Sequence, residues 1–165
     1  MSIIGDIRHG RGFGVHSPWA YNMVMHVLRQ KASYYKYGAV NELFTGRKER
    51  RTARAVFRVL VSLRPESVTV IGRRQWEQVA VLSGCQTPGG PKVLIVDAER
   101  ASAAEILAAT LPDGVAVIIG RTEELMQQIE TALPDTHGFV LDTVRSLAFV
   151  NMRRDMPRQT VRALW

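Results

Sequence analysis

The stretch Ser67-Val68-Thr69-Val70-Ile71-Gly72 decides the fold of this chain. β-Branched residues fill its middle and a glycine ends it, which predicts a short strand followed by a turn. The next residues, 73–79, lead directly into a predicted helix. In α/β sheets a ligand can approach the main chain at such a turn. The second and third glycines that usually accompany such a turn are replaced by Arg74 and Trp76, whose side chains would occupy that space.

Three more apolar runs follow this first strand, and helical patterns separate them. The predicted strands are 92–97, 115–119 and 138–142, and the predicted helices between the strands are 75–83, 101–111 and 122–133. Continuous apolar strands that alternate with amphipathic helices indicate a parallel sheet covered on both faces, with right-handed crossovers. We therefore predict a three-layer α/β domain.

An N-terminal helical extension precedes the predicted sheet. Apolar residues recur at helical spacing in 18–29, where Ser17 provides an N-cap and Pro18 the first helical position, and again in 52–63. We divide the chain into a basic arm with helices, 1–64, and a sheet-containing core, 65–165.

The C-terminal stretch predicts no further strand. Residues 145–165 indicate two short helical pieces broken at Pro157, which leaves strand 138–142 without a partner on one side. Because an unpaired edge promotes association, we expect a homodimer through this strand or through the C-terminal helices.

The net charge of +7 is concentrated in the N-terminal part. Residues 1–75 carry 14 lysines and arginines against 4 acidic residues, whereas residues 76–165 carry 8 against 11. Four arginines recur at steps of three or four on one helix face: Arg47, Arg51, Arg54 and Arg58. Such a stripe can bind phosphates, so nucleic acid is a candidate partner, and a solvated basic face is the alternative.

Composition favours a cytoplasmic protein. No apolar run approaches the roughly 20 residues that span a bilayer, and the first residues show no secretory signal. The single cysteine, Cys85, excludes an internal disulfide and fits a reducing compartment. Tyr34, Tyr35 and Tyr37 follow the first helix, where they could stack on a base or substrate or pack the helix onto the domain.

The order strand-Gly, strand-Asp, strand-Gly, strand-Asp resembles the first four strands of the Rossmann-like class I S-adenosylmethionine-dependent methyltransferases. The segments Gly14-Val15-His16-Ser17-Pro18-Trp19 and Tyr34-Tyr35-Lys36-Tyr37 resemble the opening of a bacterial group within that family. The resemblance implies a sheet order of 3-2-1-4 and S-adenosylmethionine as the cofactor. It also implies that the last strands of the family sheet are missing here.

The resemblance also implies the residues that bind the cofactor. Gly72 matches the glycine whose main chain approaches the methionine part, and Asp97 matches the acid that accepts the ribose hydroxyls, with Glu99 two residues on as a poorer substitute. Gly120 matches the glycine after the third strand. Arg121 stands where the family has an acid for the adenine amino group.

Two further residues are candidates for substrate chemistry. Asp142 matches the carboxylate that lies near the methyl acceptor in the family, and His16 could act as a base or have a structural role. An aspartate at the end of a parallel strand can instead cap the next helix.

The sequence thus leaves two functions open. One is methyl transfer to an unidentified acceptor, and the other is a non-catalytic binding or assembly module that uses the basic N-terminal part.

Overall fold

Six strands form one mixed sheet in the computed structural model, which describes residues 17–84, 86–110, 112–163 and 165. The strands are β1 Ser67–Ile71, β2 Lys92–Asp97, β3 Val115–Ile119, β4 Phe139–Asp142, β5 Leu147–Asn151 and β6 Gln159–Arg162. The helices are α1 Pro18–Asn22, which continues as a π-helical segment Met23–Leu28, α2 Tyr37–Glu42, α3 Arg47–Leu63, α4 Gln75–Ser83, α5 Ala103–Thr110 and α6 Glu123–Ala132, with a 3-10 turn at Ala98–Arg100. The α/β class is confirmed.

The strand order is β1-β2-β3-β5-β4-β6, and this corrects the predicted order 3-2-1-4. β1, β2 and β3 are parallel, but β5 runs antiparallel to both β3 and β4, and β6 is parallel to β4. Among the described strands, β1 therefore lies at an edge and pairs with β2 alone, and β5 separates β3 from β4. The predicted all-parallel sheet is wrong because β5 runs antiparallel to its two neighbours.

The burial of the strands explains why β1 lies at the edge. Its residues alternate between polar and apolar, and none of them is fully buried. β3 and β5, in contrast, are apolar along almost their whole length and buried at every position. Because an inner strand needs apolar residues on both faces and an edge strand does not, the polar Ser67 and Thr69 suit the outer position.

The two crossovers between the parallel strands have opposite hands. α4 packs on the face that carries Val93 and Ile95, whereas α5 packs on the face that carries Leu94 and Val96. Since β1, β2 and β3 lie side by side in chain order, helices on opposite faces require one crossover of each hand. The prediction that both are right-handed is therefore wrong for one of them.

The predicted C-terminal helical pieces are instead the strands β5 and β6. They flank β4, with Val140 paired to Val150 on one side and to Thr160 on the other. The run Leu147–Asn151 is too short to show a helical period, and burial on both faces favours a strand. Because β4 has two partners, the unpaired edge from which we predicted a homodimer does not exist.

The N-terminal helices pack on one face of the sheet and share its hydrophobic cluster. Ser17 caps α1 as predicted, since its hydroxyl accepts a hydrogen bond from the main-chain N–H of Ala20 at 3.3 Å. α3 begins at Arg47, five residues before the predicted start at residue 52. Within the described ranges, no helix has both the length and the apolar character needed to cross a membrane.

Val144 lies in a strained position in the turn between β4 and β5. Its φ is 62°, in the left-handed region that β-branched residues avoid, and its side chain is 43% exposed. Its main-chain N–H donates to Oδ1 of Asp142 at 2.9 Å, which maintains the turn.

We predict that Val144→Gly stabilises the protein by about 0.5–1 kcal/mol, because glycine adopts this φ without strain. The melting temperature should rise by roughly 2–4 °C per kcal/mol in thermal unfolding followed by circular dichroism. The matched control is Val81→Gly on helix α4, where Val81 is 77% exposed and glycine should lower the melting temperature. A lower melting temperature for Val144→Gly would contradict the assigned strain.

Candidate functional site

A cleft of about 310 Å³ opens at the carboxyl ends of β1, β2 and β3. It is lined by Arg73, Asp97, Ala98, Glu99, Ile119 and Gly120. We call it the carboxyl-end cleft. It brings together Asp97, Glu99 and Gly120, three of the residues predicted to bind the cofactor.

Donors of the same chain already engage the carboxylate of Asp97. Its Oδ2 accepts the main-chain N–H of Arg73 at 2.8 Å, and its Oδ1 accepts the indole N–H of Trp76 at 3.0 Å. The Nε of Arg73 lies 3.6 Å from Oδ2, and Asp97 is only 5% exposed. A ribose bound here would have to compete with both donors for a buried carboxylate.

Gly72 is required by this carboxylate. A Cβ at position 72 would lie 2.2 Å from Oδ2 of Asp97, and the φ of 147° also disfavours any other residue. The sequence therefore located a position that only glycine fits, but the group that approaches the main chain there is a side chain of the protein itself.

Trp76, at the third glycine position of the expected turn, is fully buried. Its ring lies 4.8 Å from that of Phe44, and the Arg73 guanidinium lies 5.5 Å from the Trp76 ring centroid. Nη1 of Arg73 donates to Glu49 at 2.6 Å, and this hydrogen bond holds the pKa of the Glu49 carboxyl below its usual 4.5. The turn after β1 is thus packed with indole and guanidinium groups where a cofactor-binding turn has glycines.

Asp142 is fully buried beneath an ion-pair network. Nη2 of Arg121 donates to Asp142 Oδ2 at 2.8 Å and to Glu123 at 2.7 Å, and Arg162 donates to Glu123 at 2.6 Å. The hydrogen bonds from Arg121 and then Arg162 lower the pKa of Glu123. Neither Arg121 nor Asp142 lines the carboxyl-end cleft, so the structure does not bring them together with Asp97.

A second cleft, of about 560 Å³, lies between the end of the π-helical segment and α3. It is lined by Leu28, Arg29, Gln30, Lys31, Ala32, Tyr37, Arg51, Arg54, Arg58 and Trp165. Five of these residues are basic and none is acidic, so we call it the basic cleft. It contains three arginines of the predicted stripe, whereas the exposed Arg47 lies outside it.

Arg58 has a structural role and corrects the prediction of an exposed stripe. It is only 8% exposed and donates from Nε to the carbonyl of Val27 at 2.8 Å and from Nη2 to that of Leu28 at 2.9 Å. Its Nη1 also donates to the hydroxyl of Tyr37 at 3.0 Å. Because the last carbonyls of a helix lack intrahelical partners, Arg58 caps the π-helical segment.

Aromatic rings orient the other two cleft arginines. The Arg51 guanidinium lies 4.9 Å from the ring centroid of Trp165 and donates to its main-chain oxygen at 3.2 Å. Arg54 lies 5.8 Å from the ring centroid of Tyr37. A ring holds a guanidinium in place without neutralising its charge. Rings therefore hold both guanidinium groups in place at the basic cleft.

Two basic residues of the basic cleft, Arg29 and Lys31, were not among the predicted site residues. They follow the first helix directly, and the signal that could have found them was the pair of basic residues at that helix end. The packing of the π-helical segment beside α3 places them opposite the α3 arginines.

The predicted aromatic candidates divide between core and surface. Tyr34 packs 5.7 Å from Phe57 and 5.4 Å from Tyr37, and its hydroxyl donates to Gln30 at 3.1 Å. Tyr35 is 90% exposed. His16 lies outside the described residues.

Comparison of the chain with protein-family models, with curated proteins and with solved structures finds no match. The two clefts are therefore interpreted from their own geometry. In the carboxyl-end cleft, the carboxylate of Asp97 is bonded to donors of the protein, whereas the described lining of the basic cleft contains no aspartate or glutamate.

We predict that Asp97→Ala lowers the free energy of unfolding by about 2–3 kcal/mol, because it leaves the buried Trp76 N–H and the Arg73 N–H without an acceptor. Denaturant unfolding would measure the loss. The matched control is Glu99→Ala, which removes an exposed acid from the same cleft and should change stability by less than about 0.5 kcal/mol. Equal stability of the two variants would contradict the structural role of Asp97.

Proposed function

We propose that this chain is a non-catalytic, Rossmann-like relative of the methyltransferases it resembles, and that it binds nucleic acid through the basic cleft. The observation that carries this proposal is the lining of that cleft, with five basic residues and no acidic one. A cytoplasmic location is part of the proposal. The parallel strands β1, β2 and β3, ending in Gly72, Asp97 and Gly120, support the Rossmann-like ancestry.

The shape of the cleft favours a bound anion over a solvated basic face. Cations from the chain segment after α1 and from helix α3 converge on one concave site. In a concave site the fields of neighbouring cations add, which concentrates anions there, whereas a solvated face spreads its charges apart. Phosphate groups match this surface because guanidinium groups bind them with paired hydrogen bonds.

The roles of the basic residues follow from their contacts. Arg58 is bonded to carbonyls and fixes the wall of the cleft. Arg51 and Arg54 are oriented by Trp165 and Tyr37, so their remaining N–H groups are available to phosphate. Each phosphate that they neutralise releases counterions from the nucleic acid, and this makes the affinity depend steeply on salt.

We predict that Arg54→Ala weakens binding to a mixed-sequence oligonucleotide and reduces the slope of log K against log salt by roughly 0.7–0.9, the value of one phosphate contact. Fluorescence anisotropy at several salt concentrations measures both effects. The matched control is Arg47→Ala, which removes the same charge from the same helix outside the cleft and should leave the slope unchanged.

Equal losses of oligonucleotide affinity for Arg54→Ala and Arg47→Ala would mean that binding depends only on the net charge of the protein. This outcome would support the alternative of a solvated basic face. A salt response that stays flat for the unaltered protein would exclude phosphate binding altogether.

Methyl transfer remains the second candidate function, because the carboxyl-end cleft keeps Asp97, Glu99 and Gly120 together. The residues do not fit S-adenosylmethionine in the way that the resemblance implies. Both oxygens of Asp97 are already bonded, Trp76 fills the turn, and Arg121 is bonded to Asp142.

We predict that isothermal titration calorimetry with S-adenosylmethionine, or with its demethylated product, gives no heat of binding at high ligand concentration. We expect this because the ribose of the ligand would have to displace the Arg73 and Trp76 donors from Asp97. Micromolar binding would reverse the order of the two proposals.

A further inference from the structure

Resting on the proposed function, we infer that the nucleic acid bound by the basic cleft is single-stranded and that Tyr35 stacks on one of its bases. The inference comes from an exposed aromatic ring that lies two residues from Tyr37, which lines the basic cleft. These two features together are the usual means by which proteins bind unpaired strands.

The exposure of Tyr35 has no structural explanation in the fold. Its neighbours Tyr34 and Tyr37 both pack on Phe57, at 5.7 and 5.9 Å, and so contribute to the core. Tyr35 points the other way and is 90% exposed, the most of any large hydrophobic residue in the part of the chain that the structure describes. A ring that stays in water contributes no free energy of burial to folding. The stability of the fold therefore does not require the Tyr35 ring.

Lys36 fixes the surroundings of the Tyr35 ring. Its ammonium donates to the carbonyl of Leu82, at the end of α4, at 2.7 Å. The same ammonium lies 5.6 Å from the centroid of the Tyr35 ring. Because Lys36 is bonded to the end of α4, its positive charge is held next to the ring. The ring is otherwise open to solvent.

Tyr35 lies close to the basic cleft along the chain. It is two residues from Tyr37 and three from Ala32, and both of these line the cleft. At about 3.8 Å per residue, the Tyr35 Cα lies within roughly 8 Å of the Tyr37 Cα. A strand whose phosphates contact Arg51 and Arg54 can therefore place a neighbouring base on the Tyr35 ring.

This arrangement favours an unpaired strand over a duplex. The bases of a duplex are stacked on one another and present only their edges, so a side chain on the surface cannot cover a base face. Tyr35 can stack on a base face only where a strand is single. The ring carries no hydrogen-bonding pattern that distinguishes one base from another, so little sequence preference is expected.

The test compares three probes in fluorescence anisotropy with the full chain. They are labelled oligothymidylate, an abasic oligomer of the same length, and a duplex containing the oligothymidylate. Tyr35→Ala should weaken oligothymidylate binding about tenfold, since stacking on one base contributes on the order of 1–3 kcal/mol by alanine substitution. It should leave the abasic oligomer and the duplex unaffected, because they offer phosphates without an accessible base.

Tyr35→Phe should bind oligothymidylate like the unaltered protein, because the ring is kept. Tyr21→Ala is the matched control, since Tyr21 is another partly exposed tyrosine, 39% exposed, but does not line the basic cleft. Circular dichroism would show that each variant is folded.

The outcomes separate the inference from the function on which it rests. If Tyr35→Ala binds oligothymidylate as tightly as the unaltered protein while Arg54→Ala binds it more weakly, base stacking is overturned and phosphate binding stands. If the unaltered protein binds neither the oligothymidylate nor the abasic oligomer, the proposed function fails as well. Binding only to vesicles that contain an anionic phospholipid would also overturn both, in favour of a membrane surface.

Discussion

The carboxylate of Asp97 joins the end of β2 to the turn that follows β1, and the arrangement of the carboxyl edge depends on this contact. β1 is an edge strand that pairs with β2 alone among the described strands. Through Asp97 the turn is bonded at the main chain of Arg73 and at the indole of Trp76. Gly72 is needed because a Cβ at this position would clash with the same carboxylate. One buried acid thus fixes the turn that follows β1.

Local sequence patterns located most of the strands and helices up to β4, but they did not reveal β5 and β6 or the arrangement of the strands. The predictions for β2, β3 and α4 match the structure to the residue, because long apolar runs and a glycine stop are local signals. Strand order is set by contacts between distant segments, which single-sequence periodicity does not encode. The alternating Ser67-Val68-Thr69-Val70 did carry information on the edge position of β1, since an inner strand would need apolar residues on both faces.

The sequence predicted where several candidate residues lie along the chain, but not which groups bond to them. The sequence singled out Gly72 and Asp97 as separate candidates for cofactor binding. It did not predict that Asp97 bonds to Arg73 and Trp76. On α3 it identified Arg51 and Arg54, yet it could not distinguish them from Arg58, which has the same helical spacing. The difference arises because the end of the first helix packs over Arg58 and presents carbonyls to it. Such a partner is visible only in three dimensions.

The charged residues at the carboxyl edge and in the basic cleft have different kinds of partner. At the carboxyl edge, Arg73 is paired with Glu49 and Arg121 with Asp142. In the basic cleft, rings or carbonyls accompany Arg51, Arg54 and Arg58, and the described lining contains no aspartate or glutamate. A cation–π contact contributes only about 0.5–1 kcal/mol at an exposed site, which does not remove the repulsion among neighbouring cations. Binding of a polyanion would remove that repulsion, and because the unfolded chain lacks the cleft, it would also stabilise the folded protein.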